Sequence, residues 1–273
     1  MGNEWNAMSY EGKDNILRVV RREAEQMMEL ASPPDVWETQ TASEEWQVRD
    51  VIGHLVDTTE GYFVSLDAAH GKETMGDAYG VTGMAERVNE QAKALRSVPQ
   101  QELLARLRDD FERFYAIMDA FTEDEWTNLM IPHFYMGPLP AFIYPAFQLM
   151  DYGVHSWDIR QGLGRAHGLA GDAADLLAPF MMILWQATTS TENASEPFEV
   201  GIRVTSGPNA ADYKVRIAKD GFAHEVASIE GLPVVFEFDP ASLVLTAFGR
   251  VNAGTYRGDA AIADRFLNIF FRI

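Results

Sequence analysis

The chain has 273 residues, 47% of them hydrophobic, which is enough to bury the core of one large domain or of two ordinary ones. Its 41 acidic and 22 basic residues give a formal charge of −19, which argues against partners that need clustered lysine and arginine, such as nucleic acid or anionic membrane. There is no cysteine, so disulfides, thiolate ligands and a cysteine nucleophile are excluded, and any thiol chemistry needs an external thiol.

The N-terminal segment MGNEWNAMSYEGKDN lacks the basic and apolar regions of a signal peptide. The longest apolar run, LLAPFMMILW at 176–185, is shorter than the ~20 residues that span a bilayer. We therefore expect a cytoplasmic protein, monomer or homodimer, that acts on a small molecule and binds neither nucleic acid nor membrane.

The first two thirds of the chain carry apolar residues at helical spacing. The predicted helices cover residues 9–30, 47–70, 83–96, 100–121, a segment that includes 149–164, and 171–188. Thr122 to Glu125 has the pattern of a capping box, and a proline-rich aromatic loop at 131–140 precedes the helix that contains 149–164. This pattern predicts an antiparallel bundle of four main helices with additions, formed by residues 1–192.

The pattern changes at TENASEPFEV, residues 191–200, which we interpret as a linker. Strand-like runs follow at 199–206, 212–226 and 232–239, and Asp220-Gly221 has the character of a hairpin turn. Two more helices are predicted at 241–249 and 259–271. Residues 193–273 are therefore expected to form a small α+β domain.

Three residues of the helical part have the chemistry of a metal site. Asp151 and His155 are four residues apart, so they share a helix face with Cβ atoms ~6 Å apart. His54 lies beside the apolar stripe of the second helix. Two imidazoles and one carboxylate from facing helices would leave open coordination positions, as in catalytic zinc and non-haem iron sites. An Asp151–His155 ion pair beside a buried His54 is the alternative that the spacing leaves open.

Two stretches, EEWQVRDVIGHLVD at 44–57 and DYGVHSWDIRQGLG at 151–164, resemble the signatures of the mycothiol-dependent maleylpyruvate isomerase family, a branch of the DinB-like helical bundles. The tail FDPASLVLTAFGRVNAGTYRGDAAIADRFLNIF at 238–270 resembles the family's C-terminal domain, which is related to sterol carrier proteins. The resemblance implies a DinB-like four-helix bundle followed by a small sterol-carrier-like α+β domain.

The resemblance also implies a divalent metal, usually zinc, held by His54, Asp151 and His155 and facing a cleft between the two domains. One position departs from the family pattern, because Asp151 stands where the family usually has glutamate. The aspartate side chain is shorter by one bond, on the order of 1.5 Å. The shorter reach leaves room for a water molecule or a different metal, or weakens the site.

In this family the metal is thought to bind the sulfur of mycothiol, and a metal-bound thiol is deprotonated at neutral pH. The thiolate adds to a cis-enoate, the former double bond rotates, and elimination releases the trans isomer; relatives instead transfer the thiol to an electrophile. We expect a metal-dependent isomerase or S-transferase that uses mycothiol as cosubstrate on a small electrophilic, carboxylated substrate. The alternatives are a metalloenzyme that needs no thiol and a non-catalytic carrier of an apolar ligand.

Three further residues are candidates for catalysis. Arg250 can grip a carboxylate of the substrate or of the thiol with two hydrogen bonds, and the family resemblance supports a cleft-facing arginine in this region. The alternative role of Arg250 is to satisfy carbonyls at a helix C-terminus. His133 and Tyr135 lie in the aromatic loop, where they can form a lid or pocket wall, and a structural or solvated histidine is the alternative.

Asp158 and two tryptophans lie close to the candidate ligands in sequence. Asp158 either orients a ligand histidine from the outer shell or is a helix-surface aspartate that pairs with Arg160. Trp46 and Trp157 are expected to be packing residues.

Overall fold

The computed structural model describes residues 3–165, 167–193 and 196–271. The chain divides into two compact units that meet in sequence at Leu169 and Ala170. The first unit is mainly helical, and the second combines a β-sheet with short helices.

The first unit is a helical bundle with additions. Its helices are α1 (Lys13–Ala31), α2 (Val48–Ala69), α3 (Met84–Ala94), α4 (Gln100–Ala120), α5 (Glu123–Asn128) and α6 (Ile143–Gly162). Two short strands, β1 (Met130–Ile131) and β2 (Leu139–Pro140), pair antiparallel between α5 and α6. Helix α1 packs against α4 and α6, and α2 packs against α3, α4 and α6.

The helices form where apolar periodicity and capping residues coincide. The Asp50 carboxylate accepts a hydrogen bond from the backbone N–H of Gln47 and so caps α2, and Arg96 holds the same carboxylate with two hydrogen bonds of 2.6 and 2.7 Å. The predicted capping box at α5 is confirmed, because Thr122 and Glu125 exchange side-chain and backbone hydrogen bonds. The first of these caps fixes the start of α2, the helix that carries His54.

The second unit is built on a five-stranded sheet. Its elements are α7 (Gly171–Leu177), α8 (Phe180–Thr188), β3 (Phe198–Val204), β4 (Ala211–Ala218), β5 (Gly221–Val226), β6 (Val234–Phe238), α9 (Pro240–Ala247), β7 (Thr255–Gly258) and α10 (Ala260–Leu267). The strand order is β5-β4-β3-β6-β7, in which β3 and β6 run parallel and the other neighbours antiparallel. The core of this unit is aromatic: the ring of Trp185 packs on those of Phe238 and Phe266.

The structure differs from the sequence-based expectation in the segment that joins the units. The predicted helix 171–188 is two helices, α7 and α8, because Pro179 interrupts the backbone hydrogen bonding. Both helices belong to the second unit, where α7 packs on α9 and α8 packs on α9 and β5. The boundary between the units therefore lies between residues 169 and 170, whereas we expected it between residues 192 and 193.

The predicted linker 191–200 ends in a strand. Residues 198–200 begin β3, and residues 194 and 195 lie outside the described residues. Strand β7 was not predicted, because its sequence TYRG is short and shows no alternation of buried and exposed residues. In the described parts of the chain, no helix combines the length and apolar character needed to cross a bilayer.

Candidate metal centre

Helices α2 and α6 bring together the three residues that the sequence singled out. His54, Asp151 and His155 each offer one ligand atom, and these atoms all lie within 4.8 Å of one another. The Nε2 atom of His54 is 3.4 Å from Oδ1 of Asp151 on the facing helix. Both histidines are buried, whereas the Asp151 side chain is 19% exposed. Asp151 thus contacts His54 across the helix interface and is the most exposed of the three side chains.

Each imidazole has one ring nitrogen engaged by an oxygen outside the cluster. The Nδ1 atom of His155 is 2.9 Å from Oδ2 of Asp158, whose side chain is fully buried. The Nδ1 atom of His54 is 3.2 Å from the hydroxyl of Thr58. Such outer contacts fix the ring orientation and leave Nε2 as the nitrogen available to a metal. Asp158 therefore takes the orienting position that the sequence left open.

The electrostatics of His155 favour its neutral form. Burial lowers the pKa of His155 below its usual value, and the hydrogen bond to Asp158 opposes this shift without reversing it. Metal binding requires a neutral imidazole. The protonation state of His155 near neutral pH is therefore the one that a metal ligand needs.

The donor set fits a divalent metal. In a tetrahedral zinc site with metal–ligand distances of ~2.0–2.2 Å, neighbouring ligand atoms are about 3.3–3.6 Å apart. The ligand atoms here lie within 4.8 Å of one another, so the most distant of them must approach by about 1 Å when an ion binds. Two imidazoles and one carboxylate form a ligand set found in catalytic zinc sites and in non-haem iron sites. The three side chains can therefore hold such an ion and leave coordination positions for other ligands.

His133 and Tyr135 lie in the hairpin loop between β1 and β2. The Nδ1 atom of His133 accepts hydrogen bonds of 3.2 Å from the backbone N–H groups of Tyr135 and Met136. Because Nδ1 is an acceptor, the proton of the neutral ring is on Nε2. The His133 ring packs on Phe147, which is one helical turn before Asp151. The hydroxyl of Tyr135 is 3.5 Å from Oε1 of Gln91 on α3. His133 thus stabilises its own loop, which is the structural role that the sequence left open.

His133 makes the stability of the protein sensitive to pH. Burial lowers the pKa of His133 from 6.5 to about 4. Because the folded pKa lies below the unfolded one, its stabilisation is complete above about pH 6.5 and is lost as the pH falls toward 4. We expect the wild type to lose up to about 2 kcal/mol more stability between about pH 7 and pH 5 than His133→Asn does.

Urea unfolding at the two pH values measures this difference. The asparagine oxygen can accept the same backbone N–H groups but does not titrate, and the other groups titrate in both proteins. If the free energy of unfolding changes equally with pH in the two proteins, His133 is solvated in the folded state.

Arg250 belongs to the second unit and follows the C-terminus of α9. Its Nη1 donates a hydrogen bond of 3.0 Å to the carbonyl of Phe248. Arg250 also lines a cavity of about 320 Å³ within this unit, together with the polar side chains of Thr246, Asn252 and Asn268. The arginine thus satisfies a carbonyl near a helix end and also borders a polar cavity, so the structure is compatible with both roles that the sequence suggested.

Two residues next to the three candidate ligands were missed in the sequence. Thr58, which contacts His54, and Tyr62 follow His54 at positions i+4 and i+8 and so share its helix face. Burial raises the pKa of Tyr62, and the nearby charge of Asp151 adds to the shift. Their spacing from His54 was the available signal, but on a helix whose neighbours are unknown it does not distinguish a site from packing.

The comparisons with known proteins agree with this architecture. A family model described as the mycothiol maleylpyruvate isomerase N-terminal domain matches residues 20–160, more than half of the chain. The crystal structure of the mycothiol-dependent maleylpyruvate isomerase is similar at a TM-score of 0.60 and 15% sequence identity, over 91% of this chain and 94% of that one. A histidine-to-alanine mutant of that enzyme gives a TM-score of 0.59 at 14% identity with the same coverage. No curated protein sequence matches the chain.

These matches confirm the predicted fold class, a helical bundle followed by a small α+β unit. The family model spans both α2 and most of α6, the helices that carry His54, Asp151 and His155. The chain belongs to the mycothiol-dependent maleylpyruvate isomerase family.

Proposed function

We propose that this chain is a metal-dependent, mycothiol-using isomerase or S-transferase that acts on a small electrophilic, carboxylated substrate. The observation that carries the proposal is the convergence of His54, Asp151 and His155 from two helices, in a chain that belongs to this family. The similar crystal structures are named as a mycothiol-dependent maleylpyruvate isomerase, which supports a thiol as cosubstrate.

The three converging side chains would hold the metal. When bound, a divalent metal lowers the pKa of a thiol and so makes a thiolate nucleophile available at neutral pH. Asp158 accepts a hydrogen bond from the Nδ1–H of His155, which keeps Nε2 free for coordination. The hydroxyl of Thr58 makes the equivalent hydrogen bond with Nδ1 of His54. The greater exposure of Asp151 leaves that side of the centre accessible to thiol and substrate.

For Arg250 we propose the role of binding a carboxylate of the substrate or of the thiol. A guanidinium binds a carboxylate through two parallel hydrogen bonds, and the polar cavity beside Arg250 can hold a small polar molecule. Thr246, Asn252 and Asn268 also line this cavity.

Isomerisation and S-transfer differ in what happens to the thiol. In isomerisation a carbon–sulfur bond forms on addition to the double bond and breaks on elimination, so the thiol is returned. In S-transfer the carbon–sulfur bond persists, and one thiol is consumed for each product. The concentration of free thiol during the reaction therefore distinguishes the two reactions.

The test is an assay of the metal-loaded protein with mycothiol and either a cis-enoate or an alkylating electrophile. We expect product only when both metal and thiol are present, and none with His155→Ala. Free thiol stays constant if the protein is an isomerase and falls in step with product if it is a transferase. A metal-loaded protein that converts none of these substrates would contradict the thiol part of the proposal.

A metalloenzyme that needs no thiol is the second candidate. It is favoured by Asp151, whose shorter side chain leaves more room for water at the site than the glutamate usual in the family. In this case activity persists when mycothiol is omitted and is still lost in His155→Ala.

A further inference from the structure

We propose that Trp46 is a positioning residue that closes one face of the metal centre, so that thiol and substrate enter from the Asp151 side. This inference rests on the proposed metal site and adds to it a residue that shields the histidine ligands from water. Trp46 does not react; it acts through the two imidazoles that it touches.

The indole of Trp46 lies against both candidate histidine ligands. Its ring centroid is 4.9 Å from that of His54 and 5.4 Å from that of His155, and the His54 and His155 rings are 5.1 Å apart. Trp46 is buried, with 8% of its surface exposed. One side chain thus contacts two rings that come from different helices.

Hydrogen bonds at both ends fix the position of the indole. Its Nε1–H donates to Oδ1 of Asn89 on α3 at 2.9 Å. The backbone carbonyl of Trp46 accepts hydrogen bonds from the backbone N–H and the hydroxyl of Thr41 and from the side-chain amide of Gln40. The hydrogen bond to Asn89 orients the indole, and the bonds to the carbonyl fix the backbone from which the indole projects.

The segment 40–46, here named the Trp46 loop, is also attached to the helix that carries Asp151 and His155. The N–H of Ala42 donates to the carbonyl of Asp158 at 3.0 Å. At Gly162 the helix approaches so closely that an added Cβ would lie 2.0 Å from the carbonyl oxygen of Gln40. The loop and the ligand helix α6 are therefore held together at two points.

The exposure of the three ligand side chains agrees with access from the Asp151 side. The His54 and His155 side chains, which Trp46 covers, are 9% and 11% exposed, and that of Asp151 is 19% exposed. Excluding water from one side strengthens electrostatic interactions at a site and limits the number of ligands that reach it. We therefore expect loss of the indole to admit an extra water ligand at the covered face.

The test uses Co²⁺ as a probe, because the intensity of its visible absorption falls when further ligands join a four-coordinate site. The full-length wild type, Trp46→Ala, Trp46→Phe and Trp157→Ala are compared. Trp157 is a matched control: it is 9% exposed, and its ring packs on His167 rather than on a ligand. A fifth variant, Asn89→Leu, keeps the indole but removes the acceptor of its N–H.

We expect Trp46→Ala to lose most of the Co²⁺ absorption and to bind the ion about tenfold more weakly, as is typical when an outer-shell partner is removed. Trp46→Phe and Trp157→Ala should keep the wild-type spectrum, and Asn89→Leu should give a partial loss. If Trp46→Ala does not fold, a partial loss of Co²⁺ absorption in Asn89→Leu supports the positioning role of Trp46, and a wild-type spectrum in Asn89→Leu contradicts it.

A wild-type spectrum in both Trp46→Ala and Asn89→Leu, or an equal loss in Trp157→Ala, would overturn the inference and leave the metal site standing. A wild type that binds no Co²⁺ would overturn the metal site together with the inference.

Discussion

Replacing His54 by alanine is expected to lower the affinity for a divalent metal by more than about 100-fold, beyond the ~10–100-fold that loss of an outer-shell partner costs. Two of the three donors remain, and they lie on one helix, so the ion loses its link to α2. The bundle should stay folded without metal, because its core consists of apolar side chains from α1, α2, α4 and α6.

Thermal unfolding with and without added Zn²⁺ measures this effect. A ligand that binds only the folded state raises the unfolding midpoint, so zinc should raise the midpoint of the wild type and leave that of His54→Ala unchanged. His70→Ala is the control, since His70 caps the end of the same helix away from the cluster. A zinc-dependent rise in His54→Ala, or loss of its cooperative unfolding, would count against this account.

Gly162→Ala is expected to cost about 3 kcal/mol of stability, at the upper end of what overpacking a close contact costs. The new Cβ would lie 2.0 Å from the carbonyl oxygen of Gln40 and 2.9 Å from Cα of Thr41. Both neighbours are backbone atoms, so they cannot rotate away as a flexible side chain would. Either α6 or the Trp46 loop must move.

Gly153→Ala is the matched control on the same helix. An added Cβ there meets nothing within 4 Å, and alanine in a helix interior is better than glycine by about 0.5–1 kcal/mol. In urea unfolding, the free energy of unfolding should therefore be lower than that of the wild type for Gly162→Ala and higher for Gly153→Ala. If Gly162→Ala is as stable as Gly153→Ala, the Trp46 loop is not held against α6 as the structure indicates.

The bundle could be predicted from the sequence because each helix carries its own signal. The apolar stripe of α2 and the capping box of α5 are local patterns, and the observed helices begin and end within a few residues of the predicted positions. The order of the sheet could not be predicted in this way, because the parallel pairing of β3 with β6 joins residues about thirty positions apart.

The boundary between the units was misplaced for a related reason. An apolar helix such as α8 has no sequence feature that says which core it enters, and here its Trp185 joins the aromatic core of the second unit. Strand β7 has no periodicity at all and is held by its pairing with β6.

The candidate site was visible only in part. The spacing of Asp151 and His155 predicts a shared helix face, but the distance to His54 depends on how α2 and α6 pack, and the family resemblance supplied that link. The role of Asp158 remained open and Trp46 was expected only to pack, because a hydrogen bond and a ring contact depend on side-chain directions that spacing does not fix.

The most direct test of the central claim is the metal content of the purified wild type, measured by elemental mass spectrometry beside His54→Ala. We predict about one equivalent of zinc or another divalent transition metal in the wild type and a small fraction of that in the variant. A wild type without metal, even after reconstitution, would mean that His54, Asp151 and His155 form only a buried polar cluster.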